Sequence, residues 1–209
     1  MGKSARRLRQ AAQHGVAGLA TNEASKKKRR HIIWTAASVI AVAAIALVSF
    51  SSLSKESSLP RGTQVFSEKD HQHVTGFVHY NRSPPAGGAH YAEWLNCGIY
   101  TQPVPNPNAV HDLEHGAVWI TYRPSLRPLS IAELQQFVTA HYDGPQRYLT
   151  LSPYPGLPSP VVASAWGAQI RLHGPSDPRL GAFVKHFIGG NQGGEQGAPC
   201  TGGAGSPVA

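Results

Sequence analysis

The chain's 209 residues leave room for one domain with appendages and exclude a large multidomain enzyme. Charged residues make up only 14%, against a usual share of about 25%, while Gly (22) and Pro (17) run high; this describes a loop-rich body with a lipid-soluble segment attached. The net charge of +8 sits in the first 31 residues, where nine Lys/Arg stand against Glu23 alone. From residue 54 onward ten Lys/Arg meet ten Asp/Glu, so that part carries no basic footprint for nucleic acid.

Residues 1–31 therefore read as a basic cytoplasmic tail. Residues 32–54 follow without a charged side chain, and about 20 apolar residues suffice to cross a bilayer once. The run is longer than a signal-peptide core and its basic flank is long, which favours an uncleaved transmembrane helix. No Cys follows it to mark a lipoprotein site. The cluster from Lys26 to Arg30 precedes the run, whereas Lys55 and Glu56 after it cancel, so the N-terminus is expected inside and everything from about 55 outside. The same cluster is placed to meet anionic lipid heads. The localisation expected is the cell membrane, single-pass, with an extracytoplasmic C-terminal domain.

Residues 55–63 are polar, with Pro60 and Gly62, and read as a linker. Residues 64–188 form the exported domain, long enough for a real core. Within it 78–108 shows no sustained period, yet Tyr80, Tyr91, Trp94 and Tyr100 argue for ordered loops rather than disorder. Strands are expected at 117–123 (AVWITYR), 147–152 (RYLTLS) and 161–172 (VVASAWGAQIRL), each rich in β-branched or aromatic residues and bounded by Pro or Gly. One helix is expected over 131–141, with Ser130 and Glu133 as a capping box; a second starts at Asp177-Pro178 and stops at Gly189. These elements make an α+β domain with a mostly antiparallel sheet and about two helices. Residues 189–209 are too poor in apolar side chains to offset their ordering entropy and read as a flexible tail.

Nine of the eleven histidines follow the apolar segment, and six fall within 45 residues: His71, His73, His79, His90, His111 and His115. Neutral imidazole is the commonest metal ligand in proteins, so a cluster in ordered loops points to a metal site. The densest string is His111-Asp112-Leu113-Glu114-His115-Gly116. On a helical turn, residues four apart share a face, and His111 and His115 could hold one ion with Glu114 as ligand, base or supporting carboxylate. The order H-x-x-E-H also fits the inverted zinc peptidases. Pro107 before the string and Gly116 after it leave room for about one helical turn, which tells against a peptidase helix. His79 and His90 are candidate further ligands. His71 and His73 share one face if their segment is extended, but read more simply as solvated side chains. His141, His173 and His186 sit near element ends and read as structural or surface residues.

From His73 to Pro124 the sequence resembles a bacterial family, the domain of unknown function numbered 3105. The pieces that carry the resemblance are His73-Val74, Val78-His79-Tyr80, the run from Ser83 to Tyr91 (SPPAGGAHY), Gly98-Ile99-Tyr100 and the run from Val110 to Val118 (VHDLEHGAV). Ser152-Pro153-Tyr154-Pro155 and Ala165-Trp166-Gly167 are similar to its later motifs. The resemblance spans nearly all of 64–188 and implies a short cytoplasmic tail, one membrane helix and an exported domain, with no activity attached. The family's motif has Thr-Ser where Ala86-Gly87 stand here, so no serine or threonine nucleophile is assigned.

Cys97 and Cys200 are the only cysteines. An even pair in an exported domain fits a disulfide; the rival is Cys97 as a thiolate ligand beside His90 and His111. Three functions fit these residues. The first is a membrane-anchored metal-binding protein holding zinc or copper through His111 and His115, with His79, His90 and Glu114 in support. The second is a metal-dependent hydrolase with Glu114 as catalytic base. The third is an accessory or interaction subunit of a cell-envelope complex, with a protein partner. Met-rich and multi-Cys copper motifs are absent, so copper would rest on imidazole.

Overall fold

The computed structural model describes residues 59–209. The basic tail and the apolar segment 32–54, with its expected membrane helix, lie outside the described residues. Among the described residues no helix is long and apolar enough to cross a membrane.

Six strands form one mixed sheet: β1 (Gln64–Val65), β2 (Gly98–Ile99), β3 (Val118–Tyr122), β4 (Leu149–Pro153), β5 (Val161–Ala165) and β6 (Ala168–Leu172). Their order across the sheet is β1-β6-β5-β3-β4-β2. Among the described residues three helices accompany them: α1 (Asn106–Glu114), α2 (Pro128–Ala140) and α3 (Arg179–Phe187). The domain is α+β as expected, and its sheet is mixed, with three antiparallel pairings and two parallel ones. β3 pairs with β4 in parallel, as does β2 with β4, while β1, β6, β5 and β3 pair antiparallel. A strand, a 13-residue helix and another strand in succession supply the crossover that parallel neighbours need. The expected single strand over 161–172 is instead a hairpin, β5 and β6, turning at Trp166-Gly167.

Alternation along the strands divides the sheet into two unlike faces. Val118, Ile120, Tyr122, Leu149, Leu151, Val161, Ala163, Ile170 and Leu172 lie on one, packed with Leu134 and Val138 of α2 and Leu180, Phe183, Val184 and Phe187 of α3. At about 1.5–3 kcal/mol for each large apolar side chain fully buried, this layer supplies most of the driving force. The other face presents Trp119, Thr121, Thr150, Ser152, Ser164 and Gln169, all buried. Its polar groups are paired: Trp119 Nε1 donates to Ser152 Oγ at 3.0 Å, and Gln169 Nε2 donates to Ser164 Oγ and the Pro84 carbonyl, each at 3.0 Å. A second cluster, with Ala109, Val110 and Leu113 of α1, Leu95, Tyr100 and Trp166, packs onto Trp119 there.

The helix starts correct two expectations. α2 opens at Pro128, not at a Ser130 cap: its N-cap is Arg127, with no side-chain cap, and Ser130 is buried inside the first turn. α1 has nine residues rather than one turn, because Pro107 sits in the first turn, where a missing N–H costs nothing and a fixed φ favours the helix. α3 begins as expected, with Asp177 accepting from the Arg179 N–H at 3.1 Å.

The glycine-rich segment from 189 runs along the domain. Asn96 N–H donates to the Ala204 carbonyl at 2.8 Å, Val208 N–H to Ile99 at 2.8 Å and Ile99 N–H to Ala209 at 2.9 Å, covering the outer edge of β2. Cys200 is fully buried and joined to Cys97 across 103 positions of sequence. Gly193 lies against the Glu114 backbone, where a Cβ would stand 2.5 Å from its carbonyl oxygen. Glycine there permits close approach rather than motion.

Candidate metal centre

The string from His111 to Gly116 is the last turn and stop of α1. Gly116 N–H donates to the Leu113 carbonyl at 3.2 Å and Ala117 N–H to Asp112 at 2.9 Å, the paired bonds of a Schellman stop, with Gly116 at φ +98°. This stop fixes four polar side chains at the buried end of the helix. Asp112 turns inward and accepts from the Leu95 N–H at 3.0 Å and the Thr150 hydroxyl at 3.3 Å, bolting α1 to β4. Complete burial pushes its carboxyl well above the usual range, against the pull of those two donors.

Three histidines share one construction. His90 Nδ1 donates to the Gly88 carbonyl at 2.8 Å, His111 Nδ1 to Tyr91 at 2.6 Å and His115 Nδ1 to Pro199 at 2.5 Å. A carbonyl only accepts, so each Nδ1 carries a proton, and in the neutral form of the ring Nε2 presents a lone pair. Metal-binding histidines are oriented in this way. Burial drives the His111 imidazole down to about 4 despite the Tyr91 carbonyl, and neighbouring histidines push the same way. Burial also lowers His115. Both are neutral, the ligand form, at neutral pH.

His90 Nε2 lies 2.8 Å from Glu114 Oε2, yet neither atom has a hydrogen-bond partner and both are buried. In the neutral form of the ring, with its proton on Nδ1, two acceptors face each other. An unsatisfied buried polar group costs about 1–3 kcal/mol, more if charged, and Glu114 sits at the negative end of a helix dipole. A proton would relieve this pair alone. A cation there would be met by more: one ligand atom from each of His73, His90, His111 and Glu114 lies within 4.8 Å of all the others. His73 Nε2 is 4.0 Å from Glu114 Oε2, and its ring stacks on His111 at 4.8 Å.

The extended backbone at 72–74 brings His73 in, bridging to His90 through Val74 N–H to the His90 carbonyl at 2.8 Å and His90 N–H to Gln72 at 3.0 Å. His71, two residues earlier on the same side, donates from Nδ1 to Glu114 Oε1 and stacks on Trp166 at 4.6 Å. Both side chains are partly open, at 42% and 43% exposure, and give the cluster its solvent side. The SPPAGGAHY loop supports it from beneath: Gly167 N–H donates to the Ala86 carbonyl at 2.9 Å and Tyr80 Oη to Ala89 at 2.8 Å.

The residues expected from sequence fall unevenly. His90 and His111 are brought together with Glu114. His115 stands next to His111, rings 4.5 Å apart, but groups with Glu195 rather than Glu114. His79 joins neither group; it is exposed and lines a separate cavity of about 390 Å³ with Tyr80 and Arg82. Cys97, weighed as a thiolate beside His90 and His111, lies with Asp112 and Cys200, its sulfur taken by the disulfide. His71 and His73, expected as solvated side chains, both face Glu114, and Glu195 is a further acidic neighbour that the sequence does not single out. The i, i+2 spacing signalled that His71 and His73 share a side, and nothing local signalled Glu195.

Residues 71–202 match the family model DUF3105, described as a protein of unknown function. The matched span runs from His71 through Cys200 and so contains every side chain of the cluster. No curated protein and no solved structure matches the chain.

Proposed function

The chain belongs to the DUF3105 family, and we propose that it is a membrane-anchored protein that binds a transition-metal ion in its extracytoplasmic domain. His90, His111, Glu114 and His73 would hold the ion. The observation that carries this reading is the facing pair of buried, unpartnered acceptors, His90 Nε2 and Glu114 Oε2. Imidazole with one carboxylate and no thiolate suits zinc or Cu²⁺. The carbonyls of Gly88 and Tyr91 fix two rings beforehand, so little ordering remains when an ion arrives. Residues 32–54 would tether the domain outside the cytoplasmic membrane, where an ion is taken from the surroundings rather than from the cytosol.

Metal binding is favoured over metal-dependent hydrolysis by the state of Glu114. Its Oε1 accepts from His71 and its Oε2 faces His90, which describes a ligand rather than a base poised on a water. The test is metal content by mass spectrometry of the full-length chain, purified without a polyhistidine tag, beside Glu114→Gln and His111→Ala/His115→Ala variants. About one zinc or copper per chain, lost in both variants, is expected. No bound zinc or copper in the wild type after reloading would refute the reading.

A further inference from the structure

We propose that the domain has a second, outer position for a divalent transition-metal ion, formed by His115 and Glu195 next to the inner one, with His111 common to both. The inference rests on the metal-binding reading above and extends it from one ion to two.

His115 repeats the construction of the inner ligands without belonging to them. It is 2% exposed, its Nδ1 proton is committed to the Pro199 carbonyl, and its Nε2 lone pair faces Glu195 Oε2 at 3.4 Å. That is again an acceptor facing an acceptor, now too far apart for a good hydrogen bond. Ligand atoms about 2.0–2.1 Å from a tetrahedral ion stand roughly 3.3–3.4 Å from each other, so the spacing fits two corners of one coordination shell. One ligand atom of His111 lies within 4.8 Å of both. Trp94 walls this side, 5.6 Å from the His115 ring and 6.0 Å from His111.

His111 has one nitrogen to give, because Nδ1 is held by Tyr91. Two ions cannot both take it fully, so the positions fill unequally. The inner one, with four protein ligands, fills first; the outer one, with His115, Glu195 and water, holds its ion more weakly. Glu195 is 48% exposed, which opens the outer position to solvent and makes it the landing point from which an ion moves inward while keeping His111. The segment that carries Glu195 is fixed just beyond it, by Gln196 Nε2 donating to the Gly189 carbonyl at 2.7 Å and by the disulfide at Cys200.

The experiment is a Co²⁺ titration of the chelator-stripped full-length chain, followed by equilibrium dialysis and visible absorption, with Glu195→Gln and Glu114→Gln in parallel. Glu195→Gln is a conservative change at a half-exposed site. The expected result is two equivalents in the wild type, the second at least tenfold weaker. Glu195→Gln loses only the second, and Glu114→Gln loses the tighter one. A single equivalent in the wild type, a second that survives Glu195→Gln, or loss of both in that variant overturns the outer position. If His115 and Glu195 are only an ion pair, the first of these is the result. Absence of any bound Co²⁺ in the wild type would instead overturn the metal-binding reading itself.

Discussion

The two faces of the sheet are built on opposite terms. On the α2/α3 face every strand residue is apolar, and Phe183, Leu180 and Val184 fill the space against Val118, Ile120 and Leu151. On the α1 face the strands present Trp119, Thr121, Thr150, Ser152 and Gln169, each buried, and the cover is a short helix with loops and the C-terminal segment. The first face gains stability from area removed from water. The second spends part of it on buried polar groups, among them two carboxyls in the last turn of α1 and the neutral imidazoles of His111 and His115. A protein keeps such a face where it has chemistry to support, and the candidate centre lies over that one.

The contrast can be broken most strongly from the dry side. Phe183→Ala removes a fully buried ring from the layer and should cost about 3–5 kcal/mol in urea unfolding, with the zinc content of the folded protein unchanged. A loss of zinc without a loss of stability would mean that the faces are not independent.

The pH dependence of the metal-free protein probes the polar side. His111 takes up its proton near 6.5 when unfolded and near 4 when folded, so the unfolded state binds more protons between those values. Stability is then full above about 6.5, falls as the pH drops toward 4 and levels off below, by about 3 kcal/mol at about 1.4 kcal/mol per unit. The lowered His115 acts in the same direction. Asp112 opposes both: it stays protonated in the fold where the unfolded carboxyl has ionised, so its contribution falls as the pH rises above 3.8. Urea midpoints of Asp112→Asn in chelator should therefore show the histidine slope by itself, and His111→Asn added to it should flatten that slope.

The smallest effect expected is also the sharpest. Glu114→Gln replaces one of two facing acceptors with an amide that can donate to His90 Nε2. In chelator the variant should unfold at a slightly higher temperature, by up to about 1 kcal/mol, while losing its metal. A destabilised metal-free variant would show that the protein's own groups, rather than a bound cation, stabilise the Glu114 carboxylate.

How far the sequence reveals this depends on the face. The strands and the α3 start at Asp177-Pro178 are legible because β-branched and aromatic content between Pro or Gly, and a Pro at a helix start, are local signals. The parallel pairing of β3 with β4 has no local signature in either strand, although the helix between them supplies the crossover it needs. Pro107 suggests a short turn, yet its place in the first turn lets it begin the nine-residue α1. In the cluster, the spacing of His111 and His115 and the density of histidines single out the helix that carries His111, Glu114 and His115. Spacing says which side chains share a side, not what they meet, so His73 passed as solvated and His79, which faces elsewhere, was included. Glu195 was hidden for another reason. Its segment is placed by backbone hydrogen bonds, close glycine contacts and a disulfide, none of which registers in apolar content.

Zinc affinity of the full-length chain, measured by competition with a chromophoric chelator, tests the central claim most directly when wild type is set beside Glu114→Gln and a surface control, Glu133→Gln. The account predicts tight binding in wild type and control and at least a tenfold loss in Glu114→Gln. Equal affinities in all three would contradict it.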